Sequence, residues 1–137
     1  MNIPLPSGSG DATFLSAFDD VIEPVLMKFK PGAVLVSLGV DAHYKDHLAS
    51  LTLSSKGYVE LCRRTLDVAR KACEGRIAFV LEGGYHPESL AEVVAGVVKS
   101  FEGEEAELAF NQVSDTECVG SSAIAAVKQT HAKQWDI

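Results

Sequence analysis

The stretch AVLVSLGVDAHYKDH, residues 33–47, joins a short apolar run to a dense polar cluster. Its first six residues follow a Pro-Gly turn and are nearly all apolar, which is typical of a strand covered on both faces in a parallel sheet. Two carboxylates and two imidazoles then lie within seven positions: Asp41, His43, Asp46 and His47. Because ligands bind beyond the carboxyl ends of strands in open α/β sheets, the stretch predicts both a sheet and a site.

A second run of the same type, RIAFVL (76–81), leads into EGGY (82–85). Apolar residues at three- and four-residue steps predict helices over 12–29, about 55–73, 87 to about 101, and about 121–135. The alternation of helix and strand predicts an α/β fold, a parallel sheet flanked by helices. Two strands are too few for a stable sheet. Either the sheet continues in a second chain, or residues 1–137, taken as one domain, belong to a larger fold.

Several residues predict where helices begin, bend and end. Asp11 is expected to start the first helix as an acceptor for its free N–H groups, and Pro24 is expected to bend that helix. Ser54 and Ser55 can cap the next helix, which Gly75 ends. The segment NQVSDTECVG (111–120) is expected to be a loop.

The charge balance favours some partners over others. Twelve Lys and Arg stand against 19 Asp and Glu, a net charge of −7. This argues against nucleic acid or an anionic membrane as the main partner and mildly favours a cationic ligand, such as a lysine-bearing peptide or a polyamine. No window is apolar enough for a membrane span.

The three cysteines show no CxxC pattern and are an odd number, which indicates a reducing compartment. With no signal peptide recognised at the start, a cytoplasmic location is expected. Cys62 and Cys73 fall in a helical pattern, so packing is their expected role.

The polar clusters after the two strands can be interpreted as a ligand-binding site or as ordinary turns, caps and packed side chains. Asp41, His43, Asp46 and His47 offer the oxygen and imidazole donors that Zn²⁺ or Fe²⁺ accept, but such residues also make surface turns and caps. Gly83 and Gly84 allow a close approach of backbone to a ligand, yet glycine pairs are common in turns. Tyr85 alone is compatible with a packed aromatic or with a catalytic phenol.

Three blocks in order carry a family resemblance: NIPLPSGSGD (2–11), VSLGVDAHYKDHLASLTLSSKGY (36–58) and FVLEGGYHPESL (79–90). Together with the final AIAAVKQTHAKQW, they resemble zinc-dependent deacetylases of the histone deacetylase and acetylpolyamine amidohydrolase family. The resemblance implies a partial arginase-like α/β fold and matches roughly the C-terminal third of a family member. The motifs DAH and EGGY are most similar to bacterial-type and class II members.

The resemblance implies roles for individual residues. Asp46 matches one of three protein ligands of the catalytic Zn²⁺, and Tyr85 matches the tyrosine whose hydroxyl polarises the acetyl carbonyl. Gly83 and Gly84 match glycines beside the acyl-lysine channel. Asp41 and His43 match positions near the metal loop and are given a supporting role, orienting the loop that holds Asp46. His47 stands where the family usually has proline.

The resemblance also implies residues that this sequence does not contain. The other two zinc ligands form an upstream Asp-x-His motif, and the paired histidines of the acid–base step lie further upstream. Three hypotheses follow. The chain is part of a deacetylase of acetyl-lysine or acetylpolyamine, inactive until a second chain supplies the N-terminal part. Alternatively, it is a non-catalytic interaction module that forms a homo-oligomer, or an unrelated small α/β domain.

Overall fold

The computed structural model describes residues 1–112, 115 and 117–135. Within these residues, five α-helices, one π-helical segment and two strands follow one another. In order they are α1 (Asp11–Ala17), the π-helical segment (Phe18–Ile22), α2 (Glu23–Phe29), β1 (Val34–Leu38), α3 (Ser55–Cys73), β2 (Ile77–Leu81), α4 (Pro87–Glu102) and α5 (Ser121–Trp135). The alternation of helix and strand that the periodicity predicts is confirmed.

The two strands form a parallel sheet in which Val34 pairs with Ile77 and Leu38 with Leu81. Helices α3 and α4 cover one face. Phe79 of β2 packs against the core on that face. The buried core residues come from β1, both helices and the loops after β1: Leu38, Val40, Leu53, Tyr58, Cys62, Val93 and Val97. On the opposite face Leu35 is 79% exposed and Val80 is half-exposed. The predicted parallel sheet is therefore present, with helices on one of its faces.

The segment 11–29 differs from the single bent helix that the periodicity predicts. Between α1 and α2 the chain widens into a π-helical turn, in which the N–H of Glu23 donates to the carbonyl of Phe18, five residues back. Pro24 explains the change, because it lacks an N–H and its ring would meet the carbonyl four residues earlier in a regular α-helix. The proline alters the helix type at this point.

The start of α1 corrects a second prediction. Asp11 does not accept from the free N–H groups of its own helix; its carboxylate accepts from the N–H of Ser54 at 2.8 Å and from the Ser54 hydroxyl at 2.5 Å. Asp115 accepts instead from the N–H groups of Gly10, Ala12 and Thr13, at 2.8, 3.1 and 3.2 Å. Within the predicted loop 111–120, positions 113, 114 and 116 lie outside the described residues.

The C-terminal helix returns to the first helical segment. Ile124 and Val127 of α5 pack against Ala17 and Val21, so the two ends of the chain share a second core. Ser54 caps α3, as predicted, and its hydroxyl accepts from the N–H of Gly57 at 3.0 Å. No helix in the described part of the chain is long and apolar enough to cross a membrane.

Candidate functional site

The loops that follow β1 and β2 lie side by side at the carboxyl end of the sheet. The N–H of Glu82 donates to the carbonyl of Leu38 at 3.0 Å, and the N–H of Val40 donates to the carbonyl of Gly83 at 2.8 Å. The parallel ladder therefore continues past both strands. This brings the polar cluster after β1 against the EGGY turn after β2, as the strand-end argument predicts.

Asp46 and Tyr85 are joined directly by this arrangement. One carboxylate oxygen of Asp46, Oδ2, accepts from the backbone N–H of Tyr85 at 2.6 Å. The other, Oδ1, accepts from the N–H of Leu48 at 2.9 Å, and the N–H of Asp46 donates to the carbonyl of His43 at 2.8 Å. Asp46 is thus held by three hydrogen bonds, two of them to its carboxylate, although it lies in a loop.

The same hydrogen bonds favour the charged form of Asp46. Burial, with 8% of the residue exposed, acts to raise its pKa, but the N–H groups of Leu48 and Tyr85 outweigh this effect and leave the pKa below its usual value. Asp46 is therefore an ionised carboxylate at neutral pH, which is the protonation state that a metal ligand requires.

The backbone of Tyr85 is held by a hydrogen bond, whereas its side chain is exposed. Its N–H is held by Asp46, whereas the residue is 55% exposed and its hydroxyl has no hydrogen-bond partner in the part of the chain that the structure describes. The residue is not a packed core aromatic, so the plain interpretation of this tyrosine is wrong. A phenol with a fixed backbone and a free hydroxyl can donate a hydrogen bond to a molecule that binds in front of it.

Asp41 and the two glycines form a close-packed turn beside this pair. A Cβ at Gly83 would lie 3.1 Å from Cγ of Asp41, and a Cβ at Gly84 would lie 2.9 Å from Cβ of Val40. Gly84 also has a φ of +132°, a conformation that favours glycine. The glycines are therefore required by the contact between the two loops; their predicted position beside a substrate channel stays a prediction.

His43 points away from the site and into the protein. It is fully buried, and its Nδ1 accepts from the N–H of Lys45 at 3.1 Å, which leaves Nε2 to donate to the Ser55 hydroxyl at 3.2 Å. Ser55 in turn donates to Glu92 of α4. Burial is the main cause that lowers the pKa of His43, so its neutral form is favoured.

Glu92 completes this chain of hydrogen bonds and ties it to a distant segment. Its carboxylate also accepts from the N–H groups of Ala109 and, at 3.1 Å, Phe110. Burial acts to raise the pKa of Glu92, but the bonds from Ser55, Ala109 and Phe110 prevail and the pKa is lowered. We call the set His43, Ser55 and Glu92 the His43 relay. It anchors the loop that carries Asp46 to α3 and α4.

Ser55 and Glu92 were not identified as site residues from the sequence. The sequence predicts Ser55 only as a helix cap, and Glu92 is one acidic residue among many on an amphipathic helix. They lie 12 and 49 positions after His43, and no motif links them. The imidazole of His43 makes buried contacts that link the Asp46 loop to α3 and α4, and its supporting role stays a prediction.

The four polar residues after β1 do not form a metal site among themselves. His43 turns inward, and His47 is exposed. In the ranges 1–112, 115 and 117–135, no three His, Cys, Asp or Glu side chains are grouped so that they could hold a metal ion. Zinc sites use three or four protein ligands, so Asp46 fits as one ligand and the described residues do not complete the set.

The sequence of the histone deacetylase domain matches residues 1–101 of this chain. The match includes β1, β2 and both loops of the site. The chain belongs to the histone deacetylase family.

Two curated relatives show how much of such a protein is present here. The chain is 42% identical over 104 residues to a probable deacetylase of Archaeoglobus fulgidus, covering 75% of this chain and 29% of that protein. It is 47% identical over 104 residues to the chloroplastic histone deacetylase 10 of Oryza sativa, covering 76% of this chain and 24% of that protein. The chain thus spans about a quarter of the length of these family members.

Solved structures of histone deacetylases agree with the fold. The HDA15 HD domain superposes with a TM-score of 0.82 at 26% identity, covering 99% of this chain and 35% of that one. The histone deacetylase Clr3 gives a TM-score of 0.84 at 27% identity, covering 98% of this chain and 22% of that one. The expected partial deacetylase fold is confirmed over nearly the whole chain.

Proposed function

We propose that this chain builds one side of a zinc-dependent deacetylase centre, with Asp46 as one metal ligand and Tyr85 as the hydrogen-bond donor to the acyl group. The observation that carries the proposal is the 2.6 Å hydrogen bond between the Asp46 carboxylate and the Tyr85 N–H. It holds the backbone that carries the free phenol beside an ionised carboxylate. The substrate class is an acetylated lysine side chain or an acetylpolyamine.

The role of Asp46 is supported by its charge and its rigidity. A ligand held by two N–H groups keeps its orientation when a metal binds, and outer hydrogen bonds of this kind tune metal affinity. A zinc ion bound in a complete site would polarise the amide carbonyl and lower the pKa of a water molecule. The remaining ligands would come from the other part of the deacetylase domain, which this chain does not contain.

The role of Tyr85 is supported by its exposed hydroxyl. Amide hydrolysis passes through a tetrahedral oxyanion, and a donor aimed at that oxygen typically accelerates the reaction by about 10²- to 10³-fold. The backbone of Tyr85 is held by Asp46, while the ring can rotate towards a bound acyl group. Gly83 and Gly84 place the Tyr85 backbone close to the loop after β1.

A second polypeptide part is therefore the proposed partner, and the chain alone is proposed to be inactive. The alternative is a non-catalytic interaction module that covers its open sheet by forming a homo-oligomer. The exposed sheet face with Leu35 favours a partner that covers it. Formation of a homo-oligomer does not explain why a buried, ionised Asp46 lies beside a free phenol.

The test is reconstitution with the Archaeoglobus relative. The part of that protein that this chain does not match is expressed separately, and a chimera is also made in which this chain replaces the matched segment. Hydrolysis of an acetyl-lysine peptide and of an N-acetylpolyamine is measured with zinc present. Activity in the mixture or the chimera, with none in either part alone, is the expected result. Activity of the isolated chain, or a folded chimera without activity, would overturn the proposal.

A further inference from the structure

The aromatic ring of Phe110 contacts both loops of the site. Its centroid lies 6.1 Å from that of His43, in the loop after β1, and the two rings meet at 87°. It lies 5.9 Å from the ring centroid of His86, the residue after Tyr85, at an angle of 90°. Both pairs have the edge-to-face geometry that aromatic rings prefer. One side chain therefore links the loop of Asp46 to the turn of Tyr85.

Lys45 adds a third contact to the same ring. Its ammonium lies 5.8 Å from the centre of the Phe110 ring, within the range of a cation–π interaction. Lys45 directly precedes Asp46, and its N–H donates to Nδ1 of His43 at 3.1 Å. The Phe110 ring thus contacts the Asp46 loop at two residues, His43 and Lys45.

The backbone of Phe110 is fixed by members of the His43 relay. Its N–H donates to the Glu92 carboxylate at 3.1 Å, and its carbonyl accepts from the N–H of Ser55 at 2.9 Å. Glu92 lies on α4 and Ser55 is the first residue of α3, so both helices that cover the sheet hold this residue. A ring whose backbone is held in this way restricts the side chains that it contacts.

His86 is the residue through which Phe110 acts on Tyr85. It is the N-cap of α4, and its Nδ1 accepts from the N–H of Ser89 at 3.3 Å. Its other ring nitrogen, Nε2, lies 3.5 Å from the Glu88 carboxylate. The imidazole is therefore held both by the start of α4 and by the Phe110 ring. This restricts the backbone of Tyr85, which directly precedes it.

We propose that Phe110 is a positioning residue of the site. It keeps the two loops at the relative position in which the Asp46 carboxylate accepts from the Tyr85 N–H at 2.6 Å. Its effect on catalysis rests on the proposed function of Asp46 and Tyr85, and there a displacement of about 1 Å can cost about 10²-fold in rate. The family match ends at residue 101, so it does not include Phe110.

Amide hydrogen exchange of the isolated chain, read residue by residue by NMR, tests this role without measuring activity. In Phe110→Ala the Tyr85 amide, which donates to Asp46, should exchange about tenfold faster or more, because that bond opens more easily. The Val40 amide, which donates to the carbonyl of Gly83, is the internal reference and should change less than about threefold. Equal acceleration of both amides would mean general destabilisation and would contradict the proposal, as would an unchanged Tyr85 amide.

Three further variants sharpen this test. Phe110→Tyr keeps the ring and should leave Tyr85 exchange within about twofold of the wild type. Phe101→Ala is the matched control, since it removes a partly exposed ring that lies edge-on to Phe79 at the opposite end of α4. It should leave the ratio of Tyr85 to Val40 exchange unchanged. If circular dichroism shows that Phe110→Ala does not fold, Phe110→Leu takes its place, with an acceleration at Tyr85 of about threefold or more. A change of the ratio in Phe101→Ala as large as that in Phe110→Ala, or no rescue by Phe110→Tyr, would overturn the proposal.

The chimera with the Archaeoglobus relative separates this proposal from the proposed function. In an active chimera Phe110→Ala should lower kcat about tenfold or more and leave KM within about twofold, whereas a loss of stability alone would not change kcat per folded enzyme. An active chimera whose kcat does not depend on Phe110 overturns the positioning role alone. An inactive chimera, together with faster Tyr85 exchange in isolated Phe110→Ala, overturns the proposed function and supports the positioning role.

Discussion

The carboxyl ends of the strands and the free edge of β1 are built in opposite ways. At the strand ends, Asp46 is held by two N–H groups and His43 by a buried relay that reaches α4. Along the edge, the outward backbone groups of Leu35 and Ser37 have no partner among the described residues. The contacts that hold the strand ends therefore lie within this chain, whereas the free edge of the sheet has none in the part of the chain that the structure describes.

The largest expected effect is on kcat, from a change to Tyr85 at the strand ends. In the reconstituted or chimeric enzyme, Tyr85→Phe should lower kcat about 10²- to 10³-fold, because the hydrogen bond to the oxyanion is lost. KM should change little. Since the hydroxyl has no hydrogen-bond partner in the described part of the chain, the free energy of unfolding of the isolated chain should stay within about 0.5 kcal/mol of the wild type. A Tyr85→Phe enzyme with full kcat would show that the phenol has another role.

The two histidines after β1 should differ sharply in their contribution to stability. His43→Ala should cost about 3 kcal/mol, because it leaves a cavity and removes the partners of Lys45 and Ser55. His47→Ala, at an exposed position of the same loop, should cost less than about 0.5 kcal/mol. Urea unfolding of the isolated chain followed by circular dichroism gives both values. Equal effects would mean that the relay does not anchor the loop.

Glu92 makes the relay sensitive to acid. Its folded pKa is lowered, so its contribution to stability is complete above the unfolded carboxyl pKa of about 4.3 and is lost as the pH falls through the folded value. Glu92→Gln should therefore cost about 2 kcal/mol at pH 7 and progressively less as the pH falls below about 4. The measurement is urea unfolding at pH 7 and again below pH 4, with the exposed Glu105→Gln as the control. A cost for Glu92→Gln that is independent of pH would contradict the assigned hydrogen bonds.

The smallest effect in the isolated chain is expected at the open edge. Leu35→Lys replaces a side chain that is 79% exposed, so unfolding of the chain alone should change by less than about 0.5 kcal/mol. The same change places a charge on the uncovered face of the sheet and should prevent association with the unmatched part of the Archaeoglobus relative. Urea unfolding and size-exclusion chromatography together test this. A normal complex would show that this face is not buried on association.

The sequence predicted well those features that depend on local pattern. The bounds of α3 were predicted to the residue, and both strands were predicted within one residue at their starts, because apolar periodicity and Gly or Ser signals lie within a few positions. The proximity of Asp46 and Tyr85 followed from a general rule of parallel sheets. Of the four residues that resemble metal ligands, the resemblance assigns only Asp46 to the metal, and that role stays a proposal.

Contacts between distant segments could not be predicted in this way. The carboxylate that caps α1 belongs to Asp115, about a hundred positions from the N–H groups that donate to it, and local sequence pointed instead to the nearby Asp11. Likewise, His43 points inward, where it bonds to Ser55 of α3, which in turn bonds to Glu92 of α4. The π-helical turn before Pro24 reflects a balance between a missing N–H and the packing of Val21, and periodicity does not reveal that balance.

Zinc content tests the central claim most directly, that this chain supplies Asp46 to a centre which it does not complete. After dialysis, zinc is measured by elemental analysis in the isolated chain, in the isolated Archaeoglobus part and in their complex. One zinc per complex is expected, with much less in either part alone. Asp46→Asn should lose it, while the remote Asp67→Asn should keep it. A full equivalent of zinc in the isolated chain, or an Asp46→Asn complex that retains the metal, would contradict the account.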